Sequence, residues 1–214
     1  MKLAEESARL FFRLYISLLF YAGRMMDARG IGNIDAFANL SKEKKMEIRN
    51  KMLENIHLID SFVAENPFNF NPEEIAIVRG WKNFVKGEFF VVEYVEGGAL
   101  FLQPAKKPKA YCVLALNDPF EKMTNGVAPL MVEAVLLPFK GRIVADGMIS
   151  AMNISFGDGI RKVIESDYNG AKEEGVISSF SSESGDWGKT LDDETVYVQK
   201  KELQVKRVDE TTLN

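Results

Sequence analysis

Reactive side chains are scarce in this sequence: its 214 residues include one cysteine, one histidine and two tryptophans. A lone thiol, Cys112, cannot close an internal disulfide, which excludes the cross-linked frameworks of small secreted proteins. It sits in the apolar run Ala110–Leu116 with nothing basic beside it, the setting of an inert buried thiol rather than an activated nucleophile. Zinc sites gather Cys and His at close spacing. Here Cys112 and His57 fall on different predicted elements, so neither a metal nor any other cofactor is expected. Positive charge is short as well. Lys and Arg number 27 against 31 Asp and Glu, giving a net charge of -4, which argues against a dedicated nucleic-acid binder. Nor does any apolar run reach the roughly 20 residues of a bilayer span. The strongest, Leu10–Gly23, is interrupted by Arg13 and follows Glu5 and Glu6, where a signal peptide would carry positive charge. A buried amphipathic helix in a cytoplasmic protein is the expectation.

Packing material is what the chain has in quantity. Apolar residues make up 46% of it, with 15 phenylalanines, enough to build a substantial core in one large domain or two small ones. The first third has helical period. Leu10, Leu14, Leu18 and Ala22 form one row over Leu3–Ala28, and Phe11, Tyr15 and Leu19 a second, so this helix should pack on more than one side. Gly30 and Gly32 should break it. A second helix is predicted from the cap Ser41 to about Ala64, with Ile48, Met52, Ile56, Ile59 and Val63 on its apolar face. Asn71-Pro72-Glu73-Glu74 starts a third: Asn71 caps, Pro72 takes the first position, and Glu74 bonds back to the cap. Ile75, Val78, Trp81, Phe84 and Val85 should point toward a core, and Gly87 is placed for a left-handed C-terminal cap.

From Glu88 the period changes to two. Glu88–Val95 and Ala99–Gln103 flank a turn at Glu96-Gly97-Gly98, and Ala110–Leu116 follows as a strand. Leu130–Ser150 reads as a three-stranded antiparallel meander with tight turns at Lys140-Gly141 and Asp146-Gly147, and Met152–Phe156 as a further strand. Pro138 suggests an edge or bulge. Asp158 should cap a helix ending near Gly175. The fold class is therefore α+β: N-terminal helices, an antiparallel curved sheet or small β-barrel, and one later helix. The predicted division is a helical region over residues 1–87, a β region over residues 88–180 carrying helix 158–175, and a flexible or loosely packed tail over residues 181–214. Trp81 and Phe84 are positioned to join the helical and β regions into one core.

Few constellations suggest chemistry. His57 is the only imidazole available for acid–base work, yet no nucleophile is tied to it, and a partly buried or surface histidine is the better reading. Glu93 and Glu133 each interrupt an apolar strand. Glu93 is expected on the face of Phe89, Val91 and Val95, and Glu133 on that of Met131, Val135 and Leu137. Carboxylates in a barrel mouth can act as general acids; a covering Lys or Arg is the plainer account. Lys106, Lys107 and Lys109, with Tyr111 and Phe101 beside them, form the best patch for an anionic partner, since basic loops and exposed aromatics bind single strands. Phe156-Gly157-Asp158-Gly159 lacks the third glycine of a dinucleotide fingerprint and presents an acid to any anion, so capping explains it. Gly188-Lys189-Thr190 ends like a phosphate-binding loop, but Glu183 stands where its first glycine belongs.

Leu136-Leu137-Pro138-Phe139-Lys140-Gly141-Arg142-Ile143, followed by Asp146-Gly147, resembles a signature of an uncharacterised family of bacterial and archaeal proteins. The resemblance extends over roughly residues 40 to 180, helped by the Trp81, Val85, Gly87, Phe89 spacing and the strand at Ala110–Leu116. Some such proteins carry a Cys/His-rich zinc-binding tail. Leu191–Asn214 holds neither residue, so that attribute does not transfer, and the family supplies no catalytic residues. The leading expectation is a non-catalytic binding or regulatory protein whose partner is another protein, a second copy included, with no membrane partner. A hydrolytic or small-molecule-binding enzyme using Glu93 or Glu133 is the alternative, and single-strand binding through the lysine loop a further one.

Overall fold

The computed structural model describes residues 3–28, 31–152, 154–180 and 189–190. Gly30, and the predicted tail apart from residues 189–190, lie outside the described residues. Helix α1 (Glu5–Met25) buries both predicted rows except Leu10, which is half-buried, and α2 (Ile34–Ala38), α3 (Lys42–Glu54), α4 (His57–Glu65) and α5 (Pro72–Gly80) all pack against it. The single helix expected over Ser41–Ala64 is thus two. The break falls at Asn55, whose ψ of 60° leaves the helical region and whose side-chain amide donates to the Lys51 carbonyl at 2.9 Å. Apolar spacing runs on across the break because both halves bury residues in the same core. The capping box of α5 forms as expected: Asn71 Oδ1 accepts from the Glu74 N–H at 3.0 Å, and Glu74 Oε2 from the Asn71 N–H at 3.1 Å. Glu74 also pairs with Arg13 of α1.

Strands β1 (Val85–Val95), β2 (Gly98–Gln103), β3 (Lys109–Leu114), β4 (Leu130–Phe139) and β5 (Arg142–Ala145) close a five-stranded barrel in the order β1-β2-β3-β5-β4-β1. The barrel is mixed rather than wholly antiparallel, since Val113 and Leu114 of β3 run parallel to Ile143 and Val144 of β5. β1 is long enough to serve two neighbours. Its first seven residues pair with β4, and Phe90–Val95 pair with β2. Between Val91 and Glu93 the register slips by one residue, a bulge that bends the strand and aids closure. Gly87 is not a helix cap: the helix ends at Gly80, and Gly87 pairs with Ala134 inside β1. The β1–β2 turn brings the chain close to β3. A Cβ on Gly98 would lie 2.3 Å from the Val113 carbonyl oxygen, so only glycine fits there.

The Lys140-Gly141 turn joins β4 to β5 with φ of 50° and 73°, as a type I′ turn requires. The expected turn at Asp146-Gly147 does not return a third strand along β5, because the other edge of β5 is already taken by β3. The chain instead crosses to form β6 (Ser150–Ala151) on β4, and Asp146 is buried. No strand forms over the described residues of Met152–Phe156. A last short strand, β7 (Lys189–Thr190), lies parallel to the start of β1.

Three apolar clusters hold this frame. Phe89, Val91, Phe101, Tyr111 and Val113 fill the barrel, and Phe120 of the short helix α6 (Phe120–Met123) packs among them. On the outside, Val135, Leu137 and Phe139 of β4 pack on Phe11, Tyr15 and Trp81. The Trp81 indole N–H donates to the Pro138 carbonyl at 3.1 Å. Helices and barrel therefore share one core across the predicted boundary, and the chain passes from that core into the barrel between Phe84 and Val85. The third cluster seats α7 (Asp158–Glu174) through Ile164 and Ala171 on Phe90, Leu102, Ala110 and Met131. Gly157, not Asp158, is its N-cap; Asp158 occupies the first turn, where its charge meets the positive end of the helix.

Candidate functional site

The most polar point of the interior lies where α1, α3 and the segment after β5 meet. Asp146 Oδ2 accepts from the Tyr15 hydroxyl at 3.1 Å and from Arg49 Nη1 at 3.0 Å, while Oδ1 accepts from the Met148 N–H at 2.9 Å. Both charged side chains of the pair are 0% exposed. Arg49 Nε donates to Asn50 Oδ1 at 3.1 Å, and Nη1 reaches the Met148 carbonyl at 3.4 Å. Its Nη2 is buried without a hydrogen bond, 3.7 Å from Glu133 Oε1 of β4. Burial first, and the neighbouring Asp146 charge second, push the Tyr15 phenol well above its ordinary range. Tyr15 is consequently a neutral donor.

Sequence reasoning missed this cluster. Asp146 was legible only as a turn residue, and Arg49 stands in a helix dense with Lys and Glu. One signal was available: Arg49, Met52 and Leu53 follow i, i+3, i+4 spacing and all are buried, so a cation sits on the apolar stripe of α3.

A cleft of about 280 Å³ opens beside the cluster, lined by Phe12, Ile16 and Leu19 of α1, by Lys42 and Lys45 of α3, and by Asp146, Gly147 and Met148. Lys42 Nζ donates to the Ile149 carbonyl, and Lys45 Nζ to the Ala38 carbonyl at 2.6 Å. Among the described residues neither ammonium is ion-paired. Lys44 and Lys51, on the same helix, both pair with Glu47 at 2.8 Å and hold its carboxyl down at about 2. Across Phe12 and Gly147 lies a second, smaller cleft of about 190 Å³, beside Leu116, Asp118 and Phe120.

The residues singled out from sequence are not brought together. The bulge in β1 turns Glu93 out of the barrel, away from the interior face of Phe89 and Val91, and toward α7. There it accepts from the Tyr168 hydroxyl, and Lys172 Nζ lies 3.5 Å away. The Tyr168 hydrogen bond chiefly holds its carboxyl below the usual range. Glu133 does share its face with Val135 and Leu137, but it faces Arg49 of α3. The two carboxylates thus serve different helices, and neither lines either cleft. His57 is exposed at the start of α4, and Cys112 is half-buried. Lys106 and Lys107 are exposed in the β2–β3 loop, Lys109 is half-buried, and Tyr111 is inside the barrel with its hydroxyl on Gln103 Oε1 at 2.9 Å. Tyr111 and Phe101 are therefore not surface stacking platforms. Among the described residues no group of three His, Cys, Asp or Glu could hold a metal ion, and no helix is long and apolar enough to cross a membrane.

A barrel closed in the order 1-2-3-5-4-1, with strands 3 and 5 parallel, has the connectivity of the OB-type Greek-key barrel. In that architecture the outer face of strands 2 and 3 commonly receives oligonucleotides or oligosaccharides; here α7 covers it through Leu102 and Ala110. The class is thus a helix-capped small barrel in which α7 covers the β2–β3 face. No family model, curated protein or solved structure matches the chain.

Proposed function

We propose that this chain is a non-catalytic binding protein of the prokaryotic cytoplasm, and that its partner is another protein held in the cleft between α1, α3 and the segment after β5. The observation that carries this proposal is an apolar floor set beside two lysine ammoniums that, among the described residues, form no ion pair. A segment combining an acidic group with an apolar side chain complements both features. The buried Arg49–Asp146 pair fixes the walls to one another, which lowers the ordering cost of binding.

The enzymatic alternative has less support, because Glu93 and Glu133 are engaged separately by α7 and α3. Single-strand binding is weakened by the cover that α7 places on the barrel and by the burial of Tyr111. The test is to replace Phe12 with a photo-crosslinking phenylalanine analogue in cells and identify what is captured by mass spectrometry. A polypeptide lost on the Lys42→Glu/Lys45→Glu background, but retained with Lys106→Glu/Lys107→Glu, is the expected result. Equal capture on all backgrounds, or none on any, would overturn the proposal.

A further inference from the structure

We infer that the cleft receives a chain terminus: an apolar residue bearing its free α-carboxylate, at the end of the partner polypeptide. This rests on the cleft being the protein-binding site, and it adds the chemistry of the bound group. Lys42 and Lys45 stand one turn apart on α3, so their side chains leave the same face. Each ammonium has three N–H donors, and the Ile149 and Ala38 carbonyls each account for one. Two donors remain on each, four in all, two for each oxygen of a carboxylate.

Charge and size narrow the occupant. The charged residues lining the cleft are Lys42, Lys45 and Asp146, leaving one net positive charge. A monoanion balances this; a phosphate dianion would meet the Asp146 carboxylate uncompensated. About 280 Å³ is at the small end of ligand sites, with room for one large side chain and its attached group rather than a run of residues. Charge and apolar bulk must then come from one residue, and the terminal residue of a chain supplies both. Phe12, Ile16, Leu19 and Met148 provide the apolar contact, and Met148 adapts readily to different shapes. Gly147 keeps the space open: a Cβ there would press on Phe12 Cε1 at 3.3 Å.

Fluorescence polarisation of the full chain with fluorescein-labelled Gly-Ser-Gly-Ser-Phe, as free acid and as C-terminal amide, tests the inference. The acid should bind at least about tenfold more tightly than the amide, the worth of a charge-assisted hydrogen bond. Lys42→Ala/Lys45→Ala should erase the difference with the far-UV circular dichroism unchanged, and Ile16→Phe should weaken both peptides. Equal affinities for acid and amide overturn the inference. So does octanoate competing as strongly as the acid peptide binds, since a free acid would then be the ligand. Absent peptide binding with an intact, lysine-dependent crosslink at position 12 removes the terminus and leaves protein binding standing. Loss of the crosslink as well removes both.

Discussion

Replacing Asp146 with Asn keeps the side chain's size and the Oδ1 acceptor for the Met148 N–H, so what is lost is the charge and the Oδ2 acceptor of the Tyr15 and Arg49 hydrogen bonds. Arg49 is then left in a site with 0% side-chain exposure. Its nearest remaining carboxylate, Glu133, is 3.7 Å away and 34% exposed, a poor substitute. Removing one partner of a buried pair costs about 3 to 5 kcal/mol. For a chain of this size each kcal/mol lowers Tm by about 2 to 4 °C, so Asp146→Asn should melt roughly 6 to 20 °C below the parent. Arg49→Met should cost less, because Asp146 keeps the Tyr15 and Met148 hydrogen bonds. In the double variant no unpaired charge remains, and its loss should fall short of the sum of the singles by at least about 2 kcal/mol. Urea titrations followed by far-UV circular dichroism measure all four corners of the cycle. A cost below about 1 kcal/mol for Asp146→Asn, or an additive double variant, would refute the view that this pair locks the helices to the barrel.

Other expectations concern the phenol of Tyr15, the β1–β2 turn and the lysine loop. Tyr15 has a folded pKa raised above the ordinary 10.0, so the native state keeps a proton that the unfolded chain releases above that pH. Its stabilisation is complete below about pH 10 and declines as pH rises further, by up to about 1.4 kcal/mol per pH unit. Tyr15→Phe should flatten this alkaline slope in urea-denaturation series; an unchanged slope would exclude the assignment. Gly98→Ala should cost about 3 kcal/mol or more, since the new methyl meets a main-chain oxygen at 2.3 Å, and a parent-like Tm would contradict the close approach. Lys106→Ala/Lys107→Ala should leave retention on single-stranded DNA at the parent's level across a salt gradient; a salt-sensitive loss would revive nucleic-acid binding.

Patterning made the elements legible. The capping box at Asn71, the hairpin at Glu96-Gly97 and the Lys140-Gly141 turn form as their residues dictate, because each rests on contacts within a few positions. Errors arose where a distant partner decided the outcome. Asp146-Gly147 has the composition of a hairpin turn, but β3 holds the edge that a returning strand would need. The alternation around Glu93 is sound until one bulged residue reverses it. Gly87 follows an apolar helical stretch yet belongs to a strand, since β4 pairs with it. The Arg49–Asp146 pair spans 97 positions, and no local pattern reports such a partner. The cleft is harder still to see, because α1, α3 and the segment after β5 each contribute only a few residues.

β5 runs beside only the last two residues of β3, and the rest of that edge is closed by the chain leaving α7. The Cys112 N–H donates to the Ile177 carbonyl at 2.9 Å, and the Ile177 N–H to the Ala110 carbonyl at 2.8 Å. Ile177 thus acts as a stopper for the seam of the barrel. A chain cut short before Gly175 would uncap the Cys112 N–H and the Ala110 carbonyl on β3, an open template for a neighbouring strand. Self-association of such a shortened chain would arise from that unsealed seam, helped by the loss of Ile177 and Phe180 from the barrel core and of β7 from the start of β1.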